Sequence, residues 1–392
     1  MKLILILSII CMNLISYEYE FSGSAKAEIN MLKMHGDNPE SEIFTNSSII
    51  LYNDFTYENV IVNISPYVRL SSSVYNNVIN EYAVNMRSFG LHEASISYAI
   101  DEIMVTVGVV SFSDGNFIYE GGKYQEKGNG LSLITNLTLE GTIITAPLFD
   151  DFYTSFGYFF KNKYVNSHEQ NGKILKSTVG NDYDFSDSKG KFIIVGGNKN
   201  NHSIELNIWN YDSYINSNYI STNMLMGLAY SYRIDETVYY GTVAHSRTKG
   251  DSTPMSPLGF QFSNNNYSFG EFDVSGTAIL AGISKTEFIS FIDRDMSFNF
   301  EYYRSNKGFH SMLLSEPYSS YGYADYGDSY TIRTTVNMSD MFRVTVGYKH
   351  HRTSGDELKG GGVVVTGKTK LMDDANHYTN TDTISVEIQY DF

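Results

Sequence analysis

The sequence predicts an all-β fold, a transmembrane antiparallel up-and-down β-barrel of about sixteen strands. Three observations carry this prediction. Residues 383–392 alternate strictly between apolar and polar side chains and end on Phe392. Candidate strands of the length that a tilted strand needs to cross a bilayer recur along the whole chain. The connections between these strands alternate between long polar stretches and tight turns, as expected for a barrel with long loops on one side of a membrane and short turns on the other.

The composition fits such a barrel and excludes other classes of protein. The 392 residues include 32 Tyr and 24 Phe, and the formal net charge is −16. Aromatic side chains form girdles at the two ends of membrane barrels. A disordered chain would be poor in aromatic residues, and a nucleic-acid partner would require a basic face. Beyond its first residues the chain has no apolar run long enough for a membrane-spanning helix.

Residues 1–16 are predicted to be a secretory signal peptide. Lys2 supplies the positive charge, residues 3–10 the apolar core, and Ser16 a small residue for cleavage. The lone Cys11 lies inside this segment, and the alternative of a lipid anchor on Cys11 would require a small residue where Ile10 stands. Residues 17–392 are then a single-domain barrel without cysteine, which excludes disulfides and thiolate chemistry.

The first half of the barrel is predicted to contain seven strands. Asp101 and Glu102 form a tight hairpin between two of them, and residues 71–90, 113–136 and 161–188 are predicted long connections. Pro66 cannot donate a hydrogen bond to a neighbouring strand, which predicts a bulge there. The predicted strands are 20–32, 43–54, 59–70, 91–100, 103–112, 137–147 and 151–160.

The second half is predicted to contain nine strands. Long connections are expected at 213–221, 247–271, 305–327 and 352–381. An even number of strands places both chain ends on one side of the membrane, and totals of about fourteen or eighteen remain open. The predicted strands are 191–198, 202–212, 222–234, 236–246, 274–285, 294–304, 328–339, 341–351 and 383–392.

Two stretches resemble bacterial outer-membrane proteins. The strand that ends on Phe392 is similar to the C-terminal strand of outer-membrane β-barrels. The pair formed by residues 91–98 and 105–108 resembles a strand pair of Gram-negative porins, although Val107-Gly108-Val109 stands where those porins carry Leu-Gly-Arg. The resemblance implies a bacterial outer-membrane location, external long loops, periplasmic short turns, and recognition of the Phe392 strand by the barrel-assembly machinery. Expected partners are outer-membrane lipid and lipopolysaccharide; monomer and homotrimer both stay open.

The resemblance also implies a loop that folds into the lumen after the fifth strand. Residues 113–136 occupy this place but lack the Pro-Glu-Phe-Gly-Gly signature of that loop in porins. The charged residues that this candidate constriction loop offers are Asp114, Glu120, Lys123, Glu126 and Lys127.

Charged residues at alternate positions of many strands indicate a wet lumen, because unpaired burial would cost several kcal/mol each. If the more apolar face of each strand meets lipid, Arg333, Arg343 and Lys349 form a basic ladder that faces the acidic loop. This is our hypothesis for the constriction of a porin-like channel for passive diffusion of small hydrophilic solutes and ions. The candidate pore-lining residues are Arg69, Glu93, Glu140, Arg233, Glu301, Arg333, Arg343, Lys349 and Glu387.

No reaction, catalytic residue, metal or cofactor is expected. Residues 362–369 match the phosphate-loop pattern, but no helical periodicity follows them, which favours coincidence. His350 and His351 should point to opposite faces of a strand, which argues against a shared metal site. A barrel enzyme would need a nucleophile motif near the scattered histidines. Two further alternatives are a non-conducting surface or adhesion barrel and a substrate-selective channel, for which the candidate lumen aromatics are Tyr67, Tyr153, Trp209 and Tyr303.

Overall fold

The computed structural model contains sixteen β-strands. It describes residues 18–36, 40–76, 81–113, 136–149, 151–162, 189–215, 218–250, 272–306, 309, 327–352 and 378–392. The strands are β1 (Glu18–Gly36), β2 (Glu40–Tyr57), β3 (Val60–Asn76), β4 (Glu81–Ile100), β5 (Ile103–Ser113), β6 (Asn136–Phe149), β7 (Phe152–Asn162), β8 (Lys189–Lys199), β9 (His202–Ile215), β10 (Asn218–Ile234), β11 (Thr237–Gly250), β12 (Phe272–Ile289), β13 (Arg294–Ser305), β14 (Gly327–Asn337), β15 (Phe342–Arg352) and β16 (Tyr378–Asp391).

The strands form one closed antiparallel barrel. Each strand pairs with its neighbours in sequence, and β1 pairs with β16 to complete the ring. The predicted up-and-down barrel of about sixteen strands is confirmed. Among the described residues, no helix is long and apolar enough to cross a membrane.

The short connections follow turn chemistry at one end of the barrel. The links at 58–59, 101–102, 200–201 and 235–236 each join two strands directly. Glu58, Asp101, Asn200 and Asp235 adopt positive φ angles of 48° to 54°. Two-residue hairpin loops require such angles, and Asn and Asp tolerate them better than most residues do. The predicted tight hairpin at Asp101 and Glu102 is therefore confirmed, and residues 18 and 392 lie at this end of the barrel too.

Two of the predicted long connections are largely strand. β3 continues to Asn76 and β4 begins at Glu81, within the connection expected at 71–90. β9 continues to Ile215 and β10 begins at Asn218, within the connection expected at 213–221. These segments were predicted to be connections because they are polar. A strand that extends beyond the hydrocarbon meets water on its outer face, so it needs no apolar alternation there.

The bulge expected at Pro66 is confirmed. In the pairing of β3 with β4, Ser65 lies opposite Glu93 and Pro66 lies opposite Leu91, so His92 has no opposing residue. The missing N–H of proline interrupts the ladder at a place where a closed barrel has no free edge.

The outer face of the barrel is apolar around its closing seam. One cross-strand row on the outside joins Ile332, Tyr348, Ile384 and Met31, all of them exposed. At the seam, Gly23 N donates to the Phe392 carbonyl at 2.7 Å and Phe392 N donates to the Gly23 carbonyl at 3.0 Å. The Phe392 ring occupies the space that a side chain at position 23 would need.

Candidate functional site in the barrel interior

A buried ion pair lies on the inner face where β13 and β14 meet. Arg333 Nη2 is 2.7 Å from Glu301 Oε2, and both side chains are buried. The Tyr240 hydroxyl donates to Glu301 Oε1 at 2.6 Å, and Asn299 Nδ2 donates to that hydroxyl at 2.6 Å. The Glu301 carboxylate therefore receives one cation and one neutral donor, which compensates for its removal from bulk water.

A second ion pair lies across the seam between β16 and β1. Lys26 Nζ is 2.6 Å from Glu387 Oε2, and Glu387 is buried. Glu28, also buried, lies directly opposite Glu387 in the strand register. Two carboxylates therefore neighbour one ammonium group on the inner face. We call the inward-facing residues of β14, β15, β16 and β1, together with Glu301, the polar wall.

The predicted basic ladder is partly an ion-paired array. Lys349 is buried on the inner face of β15, opposite Thr331 and Thr383. Arg343 lies on the same strand near the short turns, with Nη2 3.4 Å from Asp391 Oδ2. Because Arg333 and Arg343 each lie beside a carboxylate, charges of both signs alternate along the polar wall.

Another part of the interior, on β6 to β13, contains a buried apolar cluster. The rings of Phe192 and Trp209 stack with their centroids 4.2 Å apart. The centroid of the Phe159 ring lies 6.1 Å from that of the same indole. These side chains belong to one buried cluster, to which we refer as the apolar wall. Its members are Leu139, Phe159, Phe192, Ile194, Trp209, Tyr211, Leu225, Ala229, Tyr240, Ala244, Ala278, Leu280, Tyr303 and Phe309.

Glycines on neighbouring strands let these rings lie along the wall. The Phe192 ring occupies the space that a Cβ at Gly157 would take, and the Tyr240 ring does the same at Gly282. An aromatic ring over a cross-strand glycine recovers contact area that the glycine itself cannot supply. The positions of these two rings therefore require glycine on the neighbouring strand.

One carboxylate lies beside the apolar wall. Glu205 on β9 is buried, and its Oε1 accepts a hydrogen bond from Asn207 Nδ2 at 2.5 Å. Glu205 lies opposite Gly196 in the register, and the Tyr153 ring covers that glycine.

The structure places most of the candidate pore-lining residues on the inner face. Five of them belong to the polar wall, as described above: Glu301, Arg333, Arg343, Lys349 and Glu387. Glu93 Oε1 accepts a hydrogen bond from buried Ser95 at 3.2 Å. Arg233 shares the strand face of buried Ser231 and is exposed near the short turns. The side chain of Arg69 and the candidate loop residues lie outside the described residues; the latter are Asp114, Glu120, Lys123, Glu126 and Lys127.

Glu140 lies on the outer face, contrary to expectation. It shares its strand face with Ile144, which is 43% exposed, whereas Leu139 on the other face is buried in the apolar wall. The assumption that the more apolar face meets lipid fails on β6, because the interior is itself apolar at that strand.

The aromatic candidates and the histidines have defined places. Trp209 and Tyr303 lie in the apolar wall, and Tyr67 shares the strand face of buried Ser65. His351 Nδ1 is 3.4 Å from Ser329 Oγ inside, while His350 Nδ1 is 2.7 Å from Asp382 Oδ1 on the other face, as expected for adjacent strand residues. No group of three metal-ligating residues occurs among the residues that the structure describes.

The sequence did not indicate Tyr240 or Asn299 as site residues. Asn299 is two positions from Glu301 and therefore on the same strand face, which is the signal that could have found it. Tyr240 approaches Glu301 only through the register of three strands, which the sequence does not reveal.

Comparison with known proteins shows the fold alone. No protein-family model and no curated protein sequence matches the chain. Solved structures do: OmpF of Salmonella typhi in complex with daunomycin has a TM-score of 0.54 at 11% identity, covering 95% of this chain and 97% of that chain. An anion-selective porin from Comamonas acidovorans has a TM-score of 0.53 at 11% identity, covering 96% and 100%. The outer membrane channel DcaP of Acinetobacter baumannii has a TM-score of 0.52 at 8% identity, covering 96% and 98%. The chain has the sixteen-stranded β-barrel fold of the outer-membrane porins.

Proposed function

We propose that this protein is a porin-like channel of a bacterial outer membrane, through which small hydrophilic solutes and ions diffuse passively. The observation that supports this most is a closed barrel with an apolar outer face and ion-paired charges on part of its inner face. Rings of side-chain charge set ion preference in such pores. The proposal includes export through a signal peptide at 1–16, periplasmic short turns, and no enzymatic reaction.

The polar wall is the proposed path. Ions lose less hydration free energy beside groups that can replace water, and the polar wall carries such groups on β13 to β16 and β1. The apolar wall offers few of them and instead packs aromatic rings against glycines. Solutes that follow the polar wall meet carboxylates and cations in alternation, which favours mild rather than strong ion selectivity.

The proposed partners follow from the same membrane location. Lipid and lipopolysaccharide would surround the outer face, and the barrel-assembly machinery would bind the strand that ends on Phe392. The mass of the protein in detergent, measured by light scattering, would distinguish a monomer from a homotrimer.

Single-channel recording tests the proposal. The mature chain is refolded, its heat-modifiable form is isolated, and conductance and reversal potential are measured in a planar bilayer under a salt gradient. We expect steady steps, and we expect Lys349→Gln to move the reversal potential toward the cation equilibrium potential because an interior positive charge is lost. Lys285→Gln, which removes an exposed lysine from the outer face, is the matched control.

A second candidate function is a non-conducting surface barrel. The observation that favours it is the burial of inner side chains on both walls: Thr331 and Trp209 are both 0% exposed. If properly folded protein gave no conductance at any voltage or salt concentration, the channel proposal would be wrong and this candidate would replace it.

A further inference from the structure

The hairpin of β12 and β13 extends beyond the neighbouring hairpin at the short-turn end. β11 begins at Thr237, opposite Lys285, but β12 continues to Ile289. On its other side the hairpin is supported, since Arg294 Nε donates to the Met338 carbonyl at 3.1 Å. Within the described chain, no strand lies beside residues 287–289 on the β11 side. We call residues 286–294 the overhang.

An open cavity of about 630 Å³ lies between the overhang and the turn that joins β10 to β11. Its volume is in the range of ligand-binding clefts. Its apolar lining comes from Ile234, Tyr239 and Phe288, and its acidic lining from Asp235, Glu236 and Glu287.

The tip of the overhang is apolar and exposed. Phe291 is 85% exposed and Phe288 is 61% exposed, the two highest values among the large hydrophobic side chains of the described residues. The two-residue turns at 101–102 and 200–201 consist of polar residues instead. Exposed aromatic side chains beside a cleft mark interaction sites, because leaving them in water is unfavourable.

The charge around the overhang favours a basic partner over a lipid surface. Residues 235–236 and 285–295 carry five carboxylates and two cations, giving a formal balance of −3, and Lys285 is already ion-paired with Glu287. Membrane surfaces are anionic or zwitterionic and attract basic segments, not acidic ones. Complementary charge therefore points to a cationic polypeptide. The residues counted are Asp235, Glu236, Lys285, Glu287, Asp293, Arg294 and Asp295.

The overhang also offers a strand edge. Thr286 N donates to the Glu236 carbonyl at 3.1 Å, which is the last backbone bond from β12 to the β11 side. Backbone groups of a strand point to the same side at every second residue, so the N–H and C=O of Phe288 face the cavity. An extended peptide can pair with such an edge and place alternate side chains in a neighbouring pocket.

We propose that the overhang and its cavity form a docking site for an extended, basic segment of a periplasmic protein. Apolar side chains of the segment would contact Tyr239 and Phe288, its basic side chains would lie near Glu236 and Glu287, and its backbone would pair with Phe288. The periplasmic position of the site rests on the proposed orientation of the barrel in the outer membrane.

A peptide-binding assay on the refolded mature barrel tests this site. The probes are two fluorescent peptides of equal length, one alternating Lys with Val and one alternating Glu with Val. We expect the Lys peptide to bind at least tenfold more tightly by fluorescence anisotropy. The variant Phe288→Ser/Phe291→Ser and the variant Glu236→Gln/Glu287→Gln should each weaken binding of the Lys peptide at least tenfold. Ile100→Ser, an exposed apolar residue beside a different short turn, should leave it unchanged.

Equal binding by all of these variants would overturn the proposal, since it would show non-specific attraction to an acidic barrel.

A spin label tests the lipid alternative. Phe291→Cys introduces the sole cysteine of residues 17–392, and its label in proteoliposomes should be reached by a water-soluble relaxing agent and shielded when the Lys peptide binds. A label reached mainly by a lipid-soluble agent would also overturn the proposal. Neither assay requires conductance, so failure of the channel proposal would not affect its outcome.

Discussion

The polar wall and the apolar wall belong to the same interior and both contain fully buried side chains, yet their chemistry differs. Glu301 on one wall and Leu225 on the other are both 0% exposed. The buried carboxylate of Glu301 on the polar wall requires partners, and Arg333 of the same wall and Tyr240 of the apolar wall supply them. On the apolar wall, burial requires close packing, and glycines make room for the rings. The inside of this barrel is therefore two environments rather than one.

The two walls also differ in what they contribute to folding. Burying an aromatic side chain stabilises by about 1.5–3 kcal/mol, so the apolar wall is expected to supply much of the stability of the barrel. A buried ion pair contributes little net stability compared with apolar residues of the same shape, because both charges lose hydration. Its expected influence is larger on the register of the neighbouring strands.

The largest loss of stability is expected from a substitution in the apolar wall. Trp209→Ala removes a fully buried indole that stacks on Phe192, and we expect a loss of about 3–5 kcal/mol in the free energy of unfolding. Because Trp209 is the only tryptophan, unfolding must be followed by circular dichroism or gel mobility. A loss below about 1 kcal/mol would show that the cluster is not closely packed.

The corresponding change on the polar wall is Arg333→Ala, which leaves the Glu301 carboxylate without its cation. We expect a loss of about 3 kcal/mol in unfolding free energy. The double variant Arg333→Met/Glu301→Gln removes both charges and should recover most of that loss, as measured by denaturant titration. If the double variant were as unstable as the single one, packing rather than charge would explain the effect.

A smaller effect is expected where glycine meets aromatic ring. Gly157→Ala places a methyl group where the Phe192 ring lies, and we expect a loss of about 1–3 kcal/mol in stability. Adding Phe192→Leu should relieve the clash and reduce the penalty of Gly157→Ala. An unchanged penalty in the Phe192→Leu background would contradict the contact.

The smallest effect is expected outside both walls. Arg247 Nη2 lies 2.6 Å from Asp273 Oδ2 on the outer face, and both side chains are about half exposed. Solvent screens such pairs, so Arg247→Ala should leave the unfolding midpoint unchanged within error. A clear shift of the unfolding midpoint at low salt that vanishes at high salt would contradict this prediction, because it would show that this exposed ion pair stabilises the barrel.

The comparison of the walls also explains what the sequence could predict. Over residues 383–391 of β16 polar and apolar residues alternate without exception, so this part of the strand and both of its faces follow from the sequence, whereas its polar beginning at 378–382 does not. On β8, Phe192 and Ile194 face inward while Ile193 and Val195 face outward. When both faces of a strand are apolar, the periodicity does not show which face points inward. For the same reason Glu140 was wrongly predicted to lie on the inner face. The network of Tyr240 with Glu301 depends on register across strands, which a single sequence does not encode locally.

The seam between β1 and β16 has a consequence for the order of folding. Gln389 Nε2 bonds to Ser24 Oγ across 365 residues of sequence, whereas the other strand pairs join sequence neighbours. Bringing ends that far apart together costs on the order of 5 kcal/mol in chain entropy if nothing else is formed, and far less once the intervening hairpins are in place. Closure is therefore favoured only as the final step. Until Phe392 meets Gly23, the growing sheet carries two unpaired edges, and that is the interval in which it can pair with another chain.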